Sequence, residues 1–431
     1  MTREIDTGET VETRAILEGL SFVRLVFVDM FGSIRSCQVP AARLLHDAHP
    51  KLNFDGSAIE GRTRLLEEDM LLVPDFSTLT NRGRTHTGHA TGMVFCTVET
   101  PDGEAWLVDP RTALISTCQE LSDLANRWTA SAELEFYILQ PDLHPADRGG
   151  YYSDLEGVGT AVCRAVAGML HTLNLPISGM HHEAGPGQYE IDLPALDPVT
   201  LADAIILTKQ MIAEEAAVSG LRVTFAARPL TNEPGSGLHL HQHIEDAPVV
   251  PFLSPEAEAI MAGILEHARG LTALAAPTAN SYKRLHAGPE APGMVIWAHA
   301  NRSALLRVGT STEGVPSIEF RAADPSCNPY LLVAGLLTVE AAGLSNGGHP
   351  GRPVEEESTG FDPTAAKVAP KPLPRNLDEA LDALMDDEVL CDTFDSRLLN
   401  RLIEGSRGEI DAANQQVSID ELDIYTQEGI Q

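Results

Sequence analysis

Four short segments of this sequence place charged or metal-ligating side chains at alternate positions. They are residues 133–135, 188–190, 239–243 and 319–321, which read Glu-Leu-Glu, Gln-Tyr-Glu, His-Leu-His-Gln-His and Glu-Phe-Arg. Residues i and i+2 of a strand point to the same face of a sheet, so each segment would present polar groups to one side. Carboxylates with one or two imidazoles suit divalent cations such as Mg²⁺ or Mn²⁺. The pattern predicts strands that line a metal and phosphate site.

Five carboxylates and one imidazole are the candidate metal ligands. Two of the acids flank a Gly-Pro-Gly turn at residues 185–187, so both can return to one place, and the imidazole follows a Gly-Ser-Gly loop that permits close approach of a ligand. Such a set could hold two or three hard cations that bridge phosphate oxygens. Any one pair of acids is more often a solvated strand face, and the whole set is what points to metal. The six residues are Glu133, Glu135, Glu183, Glu190, His239 and Glu319.

Four arginines in one late stretch of an otherwise acidic chain are candidate anion binders. They sit beside apolar strand residues, as in the segment Ala-Leu-Leu-Arg-Val at 304–308. One interpretation is a set of structural ion pairs. The other is that planar, bidentate guanidinium groups bind phosphate and carboxylate, because a carboxylate-rich cage needs cations to admit anionic substrates. The four residues are Arg284, Arg302, Arg307 and Arg321.

Composition excludes several classes of protein. The formal net charge of −32 over 431 residues argues against a surface for nucleic acid or an anionic membrane, because either needs a basic patch. Six cysteines occur without a CxxC pair, which is typical of reduced thiols in the cytosol. We find no apolar signal segment and no apolar stretch long enough to span a bilayer. We therefore expect a cytoplasmic protein.

The order of predicted elements indicates two domains. Residues 22–39 and 92–108 alternate as strands do, which predicts a small β-rich unit. Asp109-Pro110 is a typical helix start, with Asp as the cap and Pro at the first position. We place the boundary near residue 105, which gives domains 1–105 and 106–431, and we expect an α+β fold. Helices of the second domain are predicted at residues 198–219, 255–275 and 328–342.

Over nearly its whole length the chain resembles the glutamine synthetase family. The matching segments include the four described above, in the family's order and approximate spacing. Further matches are Phe54-Asp55-Gly56-Ser57, His181-His182-Glu183, Gly235-Ser236-Gly237, Asn280-Ser281-Tyr282-Lys283-Arg284, Asn301-Arg302-Ser303 and Asn328-Pro329-Tyr330.

The resemblance implies a fold, an assembly and a reaction. The fold has a small N-terminal β-grasp domain and a larger C-terminal catalytic domain with an antiparallel sheet lining the active site. The assembly is a homo-oligomeric ring, usually a dodecamer of two stacked hexamers, with each site between adjacent subunits. The reaction uses ATP and Mg²⁺ or Mn²⁺ to convert glutamate to an acyl phosphate, which then reacts with ammonia or a primary amine.

The resemblance also implies which residues bind metal, glutamate and ATP. Ligands of one metal ion are matched by Glu135, Glu183 and Glu190, and those of the other by Glu133, His239 and Glu319. The glutamate-binding positions are matched by Gly235, Arg284 and Arg321. Nucleotide and phosphate positions are matched by His241, His243, Arg302 and Arg307.

A further set of matches concerns the second half-reaction. Asp55, supplied by a neighbouring subunit, resembles the group that deprotonates the incoming ammonium. Glu290 resembles the flap residue that closes over the intermediate. Tyr151 and Asp69 match the remaining acceptor-site and loop-holding positions. An amine must lose its proton before it attacks, so a carboxylate at this place agrees with the chemistry.

Three residues depart from the family pattern and leave the acceptor open. Ala58 replaces a Ser of the ammonium pocket, Pro234 replaces an Asn beside the glutamate-binding Gly, and Ser317 replaces an Arg two residues before Glu319. We favour a glutamate–amine ligase, in which the acceptor is a primary amine such as a polyamine, ethanolamine or methylamine. A true glutamine synthetase that uses ammonia is the alternative. A non-catalytic ring subunit and a metal-dependent hydrolase are the two other interpretations.

Overall fold

A nearly continuous apolar run forms the first strand, since residues 22–28 read Phe-Val-Arg-Leu-Val-Phe-Val and bury all but two side chains. The computed structural model describes residues 10–47, 49–61, 63–84, 87–154, 156–243, 254–286, 290–310, 316–355 and 371–416. In the N-terminal part, the strands are β1 (Phe22–Val28), β2 (Ile34–Pro40), β3 (Leu52–Asp55), β4 (Asp69–Pro74), β5 (Thr80–Arg84) and β6 (Ala90–Glu99).

These six strands form one sheet in the order β2-β1-β6-β4-β3, with β5 also paired to β6. The pair β1–β6 is parallel, and the other pairs are antiparallel. Two short helices, α1 (Val11–Glu18) and α2 (Ala41–Leu45), accompany the sheet. The small β-rich unit predicted from sequence is therefore present.

A second, larger sheet carries the residues predicted to do chemistry. Its strands run in the order β12-β13-β14-β11-β7-β9-β8, with β10 also paired to β7. All its pairs are antiparallel except β12–β13. The strands are β7 (Thr129–Leu139), β8 (Gly179–His182), β9 (Gln188–Leu196), β10 (Arg222–Thr224), β11 (Leu238–His243), β12 (Met294–Ala298), β13 (Ala304–Thr310) and β14 (Pro316–Phe320).

Helices cover the other side of this sheet and form the rest of the core. The earlier ones are α3 (Pro110–Glu120), α4 (Ser122–Ala125), α5 (Val158–Thr172) and α6 (Pro198–Val218). The later ones are α7 (Pro255–Glu266), α8 (Ala268–Ala275), α9 (Ser281–Leu285), α10 (Pro329–Asn346), α11 (Leu377–Met385), α12 (Glu388–Thr393) and α13 (Ser396–Asn414). Within the described residues, no helix combines the length and apolar character needed to cross a membrane.

The predicted helix starts are present, but two predicted helices have different limits. Asp109 and Asp197 cap α3 and α6 as expected, each accepting a backbone N–H through its side chain. The helix predicted at 255–275 is instead two helices, α7 and α8, that meet at His267. The helix predicted to end at 342 continues to Asn346, because Gly343 lets α10 cross close to the backbone of α7 and Gly347 supplies the left-handed cap.

A buried ion-pair cluster ties the first sheet to the helices of the second part. Arg111 of α3 donates to Asp75 Oδ2 over 2.8 Å and to Asp203 Oδ1 over 2.9 Å. The Tyr330 hydroxyl of α10 also donates to Asp203 Oδ1, over 2.6 Å. Because Asp75 follows β4 while the other three lie on helices, this cluster fixes the orientation of the two parts.

Candidate active site

Strand register brings the predicted ligands together. In β7 and β11, Glu133 lies opposite His239, and in β7 and β9, Glu135 lies opposite Glu190. On the far side of β11, His241 lies opposite Glu319 of β14. Four strands that are distant in sequence thus present acids and imidazoles to one face.

Alternation explains why these side chains share that face. The intervening residues Leu134, Ile191, Leu240 and Phe320 are at most 3% exposed and belong to the hydrophobic core. Burying such a side chain contributes about 1.5–3 kcal/mol, so a one-residue slip of register would exchange buried apolar groups for charged ones. The core therefore holds the polar residues in place.

The polar face lines two adjoining cavities. The first has a volume of about 380 Å³ and the second about 350 Å³. Their walls share Glu135, Glu183, Ala184, His239, Glu290 and Arg321. The first is also lined by Glu133, Tyr151, Tyr152, His181, Glu190, Asp192, Arg302, Arg307 and Glu319. The second is also lined by Gln188, Arg228, Asn232, Glu233, Pro234, Gly235, Arg284 and Ala291.

Glu133 is held between two imidazoles. Its Oε2 lies 3.1 Å from His239 Nδ1, and its Oε1 lies 2.9 Å from His241 Nε2. Burial by itself would raise the pKa of Glu133, but the contacts with His239 and His241 lower it well below its ordinary value. Burial, with the nearby charge of Arg321, lowers the pKa of His239 to about 4. A neutral imidazole beside an ionised carboxylate is the form in which both bind a metal ion.

Glu319 is paired with two arginines. Arg307 Nε lies 2.6 Å from Glu319 Oε2 in an ion pair, and Arg321 Nη1 contacts Glu319 Oε1. Burial would raise the pKa of Glu319, but the charge of Arg321 lowers it. This end of the site therefore combines an ionised acid with guanidinium groups.

The opposite end of the site is rich in acids. Gly237 N–H donates to Glu135 Oε2 over 2.9 Å, and His181 Nε2 lies 3.0 Å from Glu190 Oε1. Burial and then the charge of Glu183 raise the pKa of Glu135 to about 8. Burial and then the charge of Glu133 raise the pKa of Glu190 well above its ordinary value. Carboxylates held close together in a buried site repel one another, and a bound cation would relieve that repulsion.

The second cavity carries groups suited to an amino acid. Arg284 is 6% exposed, and its Nη1 donates to the carbonyl oxygens of Ala322 and Ala323 over 3.2 and 3.0 Å. A Cβ at Gly235 would meet the Arg284 side chain, so only glycine leaves room there. Arg321 Nη2 donates to the carbonyl oxygen of Glu290 over 3.1 Å, which joins the segment carrying Glu290 to the floor of the site.

The donors fit divalent cations. Three groups of described residues have ligand atoms that all lie within 4.8 Å of one another. They are Glu133 with His241 and Glu319, His181 with Glu183 and Glu190, and Glu133 with Glu190 and Asp192. Carboxylate and imidazole donors suit Mg²⁺ and Mn²⁺. These groups differ in part from the sets predicted above, which use His239 and Glu135, although those two residues line the same cavity.

Four predicted residues lie outside the lining of these cavities, one of which is His241, buried between Glu133 and Glu319. Asp55 is exposed on the first sheet, where its Oδ1 accepts from the Ser57 amide over 2.9 Å and from the Ser57 hydroxyl over 2.6 Å. Asp69 is its register partner in β4 and is also exposed. His243 is the last residue of β11, and its Nε2 lies 3.4 Å from Ser131 Oγ.

The predictions from sequence gave no role to three residues of the first cavity. Asp192 is two residues beyond Glu190, so the same alternation could have identified it. His181 lies against Glu190, and Tyr152 stacks on His181 with ring centres 4.3 Å apart. His181 is two residues before Glu183, so alternation could have identified it as well, whereas Tyr152 reaches the site through a loop.

Two departures from the family pattern lie within the site. Ser317 is buried, and its hydroxyl lies 3.5 Å from His241 Nδ1. The carbonyl oxygen of Pro234 accepts from the Tyr137 hydroxyl over 2.8 Å, and its nitrogen has no proton to donate to a ligand. Ala58 lies elsewhere, half-buried in the short helix that follows Asp55.

Comparisons with known proteins show which family this chain belongs to. The model of the glutamine synthetase β-grasp domain matches residues 19–101, and that of the glutamine synthetase catalytic domain matches residues 107–425. The glutamine synthetase of Methanococcus maripaludis is 34% identical over 422 residues, covering 93% of this chain and 94% of that protein. That of Mycolicibacterium smegmatis is 32% identical over 437 residues, covering 96% and 97%.

Solved structures show the same fold. A chain described as a GmaS/ADP complex superposes with a TM-score of 0.84 at 25% identity, covering 96% of this chain and 99% of that one. The glutamine synthetase of Plasmodium falciparum superposes with a TM-score of 0.85 at 21% identity, covering 98% and 100%. The α+β fold with an N-terminal β-grasp domain is therefore confirmed. The family models together span almost the whole chain, and the protein is a member of the glutamine synthetase family of ATP-dependent ligases.

Proposed function

We propose that the protein joins the γ-carboxylate of glutamate to a primary amine, through a γ-glutamyl phosphate formed from ATP. The observation that carries this proposal is the pair of adjoining cavities in which carboxylates, imidazoles and arginines converge. A carboxylate is a poor electrophile, and phosphorylation makes it reactive toward an amine. The relative described as a GmaS/ADP complex supports a nucleotide as one substrate.

The metal ligands are proposed to be Glu133, Glu135, Glu183, Glu190, His239 and Glu319. Mg²⁺ or Mn²⁺ bound there would neutralise charge on the phosphates and on the transferred phosphoryl group. Arg307 and the histidines His241 and His243 are assigned to the nucleotide side. Arg302 is assigned to the phosphoryl group, since it lies at the mouth of the same cavity and its Nη1 is 3.8 Å from Glu290 Oε1.

Glutamate is assigned to the second cavity. Gly235 leaves space for the amino-acid backbone, and Arg284 and Arg321 supply the positive charge that its carboxylates need. Glu290 lines both cavities and is attached to Arg321 through its carbonyl oxygen. This position supports a role in closing the site over the acyl phosphate, where water would otherwise hydrolyse it.

The acceptor amine is assigned to a site completed by a second subunit. Tyr151 and Glu183 line the first cavity, while Asp55 is exposed on the other domain. Hydrogen bonds from Ser57 hold the pKa of Asp55 below its ordinary value, so this carboxylate stays ionised and can attract a cationic ammonium group. An exposed, preoriented base that does not line its own cavities supports a homo-oligomeric ring, with a dodecamer expected.

A primary amine is favoured over ammonia because of Ala58. Loss of a hydroxyl removes a hydrogen-bonding group that could hold ammonium, and a site without that contact discriminates less against a carbon substituent. Pro234 likewise removes a hydrogen-bond donor beside the second cavity, to which glutamate is assigned. A true glutamine synthetase is the second candidate, and the names of the relatives from M. maripaludis and M. smegmatis favour it.

Steady-state kinetics separates the two candidates. Phosphate release from ATP with glutamate would be measured with ammonia, methylamine, ethanolamine and putrescine at matched concentrations. We expect at least one amine to exceed ammonia in kcat/KM, and Ala58→Ser to shift the preference toward ammonia. A kcat/KM for ammonia far above that for every amine would show that the protein is a true glutamine synthetase. Absence of glutamate-dependent phosphate release with all acceptors would favour a non-catalytic subunit.

A further inference from the structure

A third cavity adjoins the first one. It has a volume of about 260 Å³, and Tyr152 and His181 line both cavities, so these two residues form the wall between them. Their rings stack with centres 4.3 Å apart and planes 19° apart. His181 Nδ1 also lies 3.5 Å from Glu183 Oε1, and Glu183 lines the first cavity. The third cavity is therefore next to the place assigned above to the acceptor amine.

The inner wall of the third cavity is largely a hydrocarbon surface. Cys163 and Tyr189 are 2% and 3% exposed, and Met180 is a further lining residue. A buried cysteine behaves as a small hydrophobic residue. The Tyr189 hydroxyl donates to Asp147 Oδ2 over 2.7 Å, and His182 Nε2 lies 2.8 Å from Asp147 Oδ1. Because these polar atoms already have partners, the inner part of the cavity favours an apolar group over water.

The charged residues of the third cavity lie at its solvent-facing edge. Asp154 and Arg164 line the cavity, and both are exposed. Arg164 is paired with Glu156, since Nη1 donates to Oε2 over 2.7 Å and Nη2 donates to Oε1 over 2.6 Å. The positive charge of Arg164 is thereby balanced by a neighbour. This arrangement fits a hydrocarbon chain better than it fits an anion.

Tyr152 combines a fixed backbone with an exposed ring. Its amide donates to the carbonyl oxygen of His182 over 3.0 Å, and its φ of 56° lies in the left-handed region, which is uncommon for a bulky residue. The residue is nevertheless 65% exposed. Rotation of this one ring about its side-chain bonds would therefore join the first and third cavities without a change in the strands below.

We propose that the third cavity holds the carbon chain of a straight-chain aliphatic amine whose nitrogen lies in the first cavity beside Glu183. At ~30 Å³ for a group the size of a water molecule, 260 Å³ gives room for about eight such groups, which is ample for a chain of roughly five carbons. Ammonia and methylamine are too short to reach it. The Tyr152–His181 stack selects the chain, because the chain must pass these rings. This inference rests on the proposed function and specifies the acceptor within it.

The test compares amines of increasing length in the wild type and in variants of Cys163. Phosphate release from ATP with glutamate would be measured with ammonia, methylamine, n-propylamine and n-pentylamine. In the wild type, kcat/KM should rise by roughly fourfold for each methylene group buried. Cys163→Met fills the cavity and should lower the ratio of kcat/KM for n-pentylamine to that for ammonia by ~10-fold or more. Cys163→Ala leaves the space open and should keep the ratio, as should the matched control Cys391→Met on α12, outside all three cavities.

Two results would overturn the inference. One is a wild-type kcat/KM that stays flat or falls from methylamine to n-pentylamine, as expected if the third cavity holds only water. The other is a folded Cys163→Met protein with the wild-type ratio, where the unfolding midpoint shows that the variant is folded. Tyr152→Ala, in an exposed loop, is a second test that leaves the core intact, and it should flatten the rise with chain length because the chain loses its aromatic contact. Release with ammonia or methylamine shows that the ligase is active, so a flat profile then rejects this inference alone, whereas no release with any acceptor contradicts the proposed function as well.

Discussion

Arg307 Nε lies 2.6 Å from Glu319 Oε2, because the two residues are register partners in the antiparallel strands β13 and β14. Arg321, two residues beyond Glu319, contacts the other oxygen of the same carboxylate. Glu319 is only 2% exposed, and the two arginines keep this buried carboxylate ionised. Neutralising one residue of this group should affect both metal binding and anion binding.

Glu319→Gln should lower phosphate release with saturating ATP and glutamate by ~100-fold or more, since losing even an outer-sphere partner of a metal costs 10–100-fold. The amide keeps the shape of the side chain but removes the charge that a divalent cation requires. The measurement is the rate of phosphate release across a range of Mg²⁺ concentrations. Glu256→Gln, which removes an exposed acid paired with Arg127, is the matched control and should leave the rate unchanged. Wild-type turnover in Glu319→Gln would reject the assignment.

Asp147 should act as a positioning residue for Glu183. Its Oδ1 accepts from His182 Nε2 over 2.8 Å and from the Gly187 amide over 3.0 Å, and its Oδ2 accepts from the Tyr189 hydroxyl over 2.7 Å. His182 Nδ1 lies 2.7 Å from the carbonyl oxygen of Glu183. Asp147 therefore joins the strand that ends before Glu183 to the turn that follows it.

Asp147→Ala should raise the Mg²⁺ concentration for half-maximal rate by ~10–100-fold, because partners that orient ligands have effects of this size on metal affinity. The rate at saturating Mg²⁺ should fall less, and this split separates a positioning role from general destabilisation. Asp142→Ala is the control, since Asp142 is exposed and its side chain accepts from the His144 amide in a nearby turn. Equal effects of the two substitutions on the Mg²⁺ dependence would refute the prediction.

The proposed shared site can be tested by mixing inactive proteins. Asp55→Ala lacks the proton acceptor of one subunit, and Glu319→Ala lacks a metal ligand of the other. Subunit exchange between the two should create some sites with both residues intact, so part of the phosphate release should return. Exchange must be confirmed separately, for example by mass spectrometry of labelled subunits. Complete failure after confirmed exchange would mean that each site is built within one chain.

Glu340 gives a prediction for stability against pH. This residue of α10 is 1% exposed, and burial raises its pKa to about 8, while donation from Gln242 and Trp128 opposes the shift. The folded protein therefore holds this proton more tightly than the unfolded chain, whose Glu has a pKa of ~4.3. The stabilisation is fully present below ~pH 4.3 and is lost as the pH rises toward the folded value.

Glu340→Gln replaces the titrating carboxyl group by an amide, so the contribution of this residue to stability no longer depends on pH. Relative to the wild type, the variant should gain stability as the pH rises from 5 to 8, and the change should level off above that range. The measurement is the free energy of unfolding in denaturant at several pH values, with Glu104→Gln in an exposed turn as the control. A difference between variant and wild type that does not change with pH would count against the raised pKa.

The sequence by itself determined which residue types face the site and in what order. The alternation around residues 133, 190, 239 and 319 required strands with one polar face, since only that register buries the leucines and isoleucines between them. The caps Asp109 and Asp197 likewise fixed two helix starts, because an N-cap is a local interaction. The helix break at 267 was missed, and so was the end of α10 at 346, which depends on how closely α10 packs on α7 at Gly343.

Only the tertiary structure decided which ligands meet. Local spacing could group Glu133 with Glu135, but strand order determines that Glu133 lies between His239 on one side and Asp192 on the other. The position of Tyr152 depends on a loop stacked against β8, for which no short-range pattern exists, while His181 is placed by the pairing of β8 with β9. Sequence thus specified the chemistry through side-chain alternation, while the pairing of distant strands specified the neighbours and hence the charge that each ligand experiences.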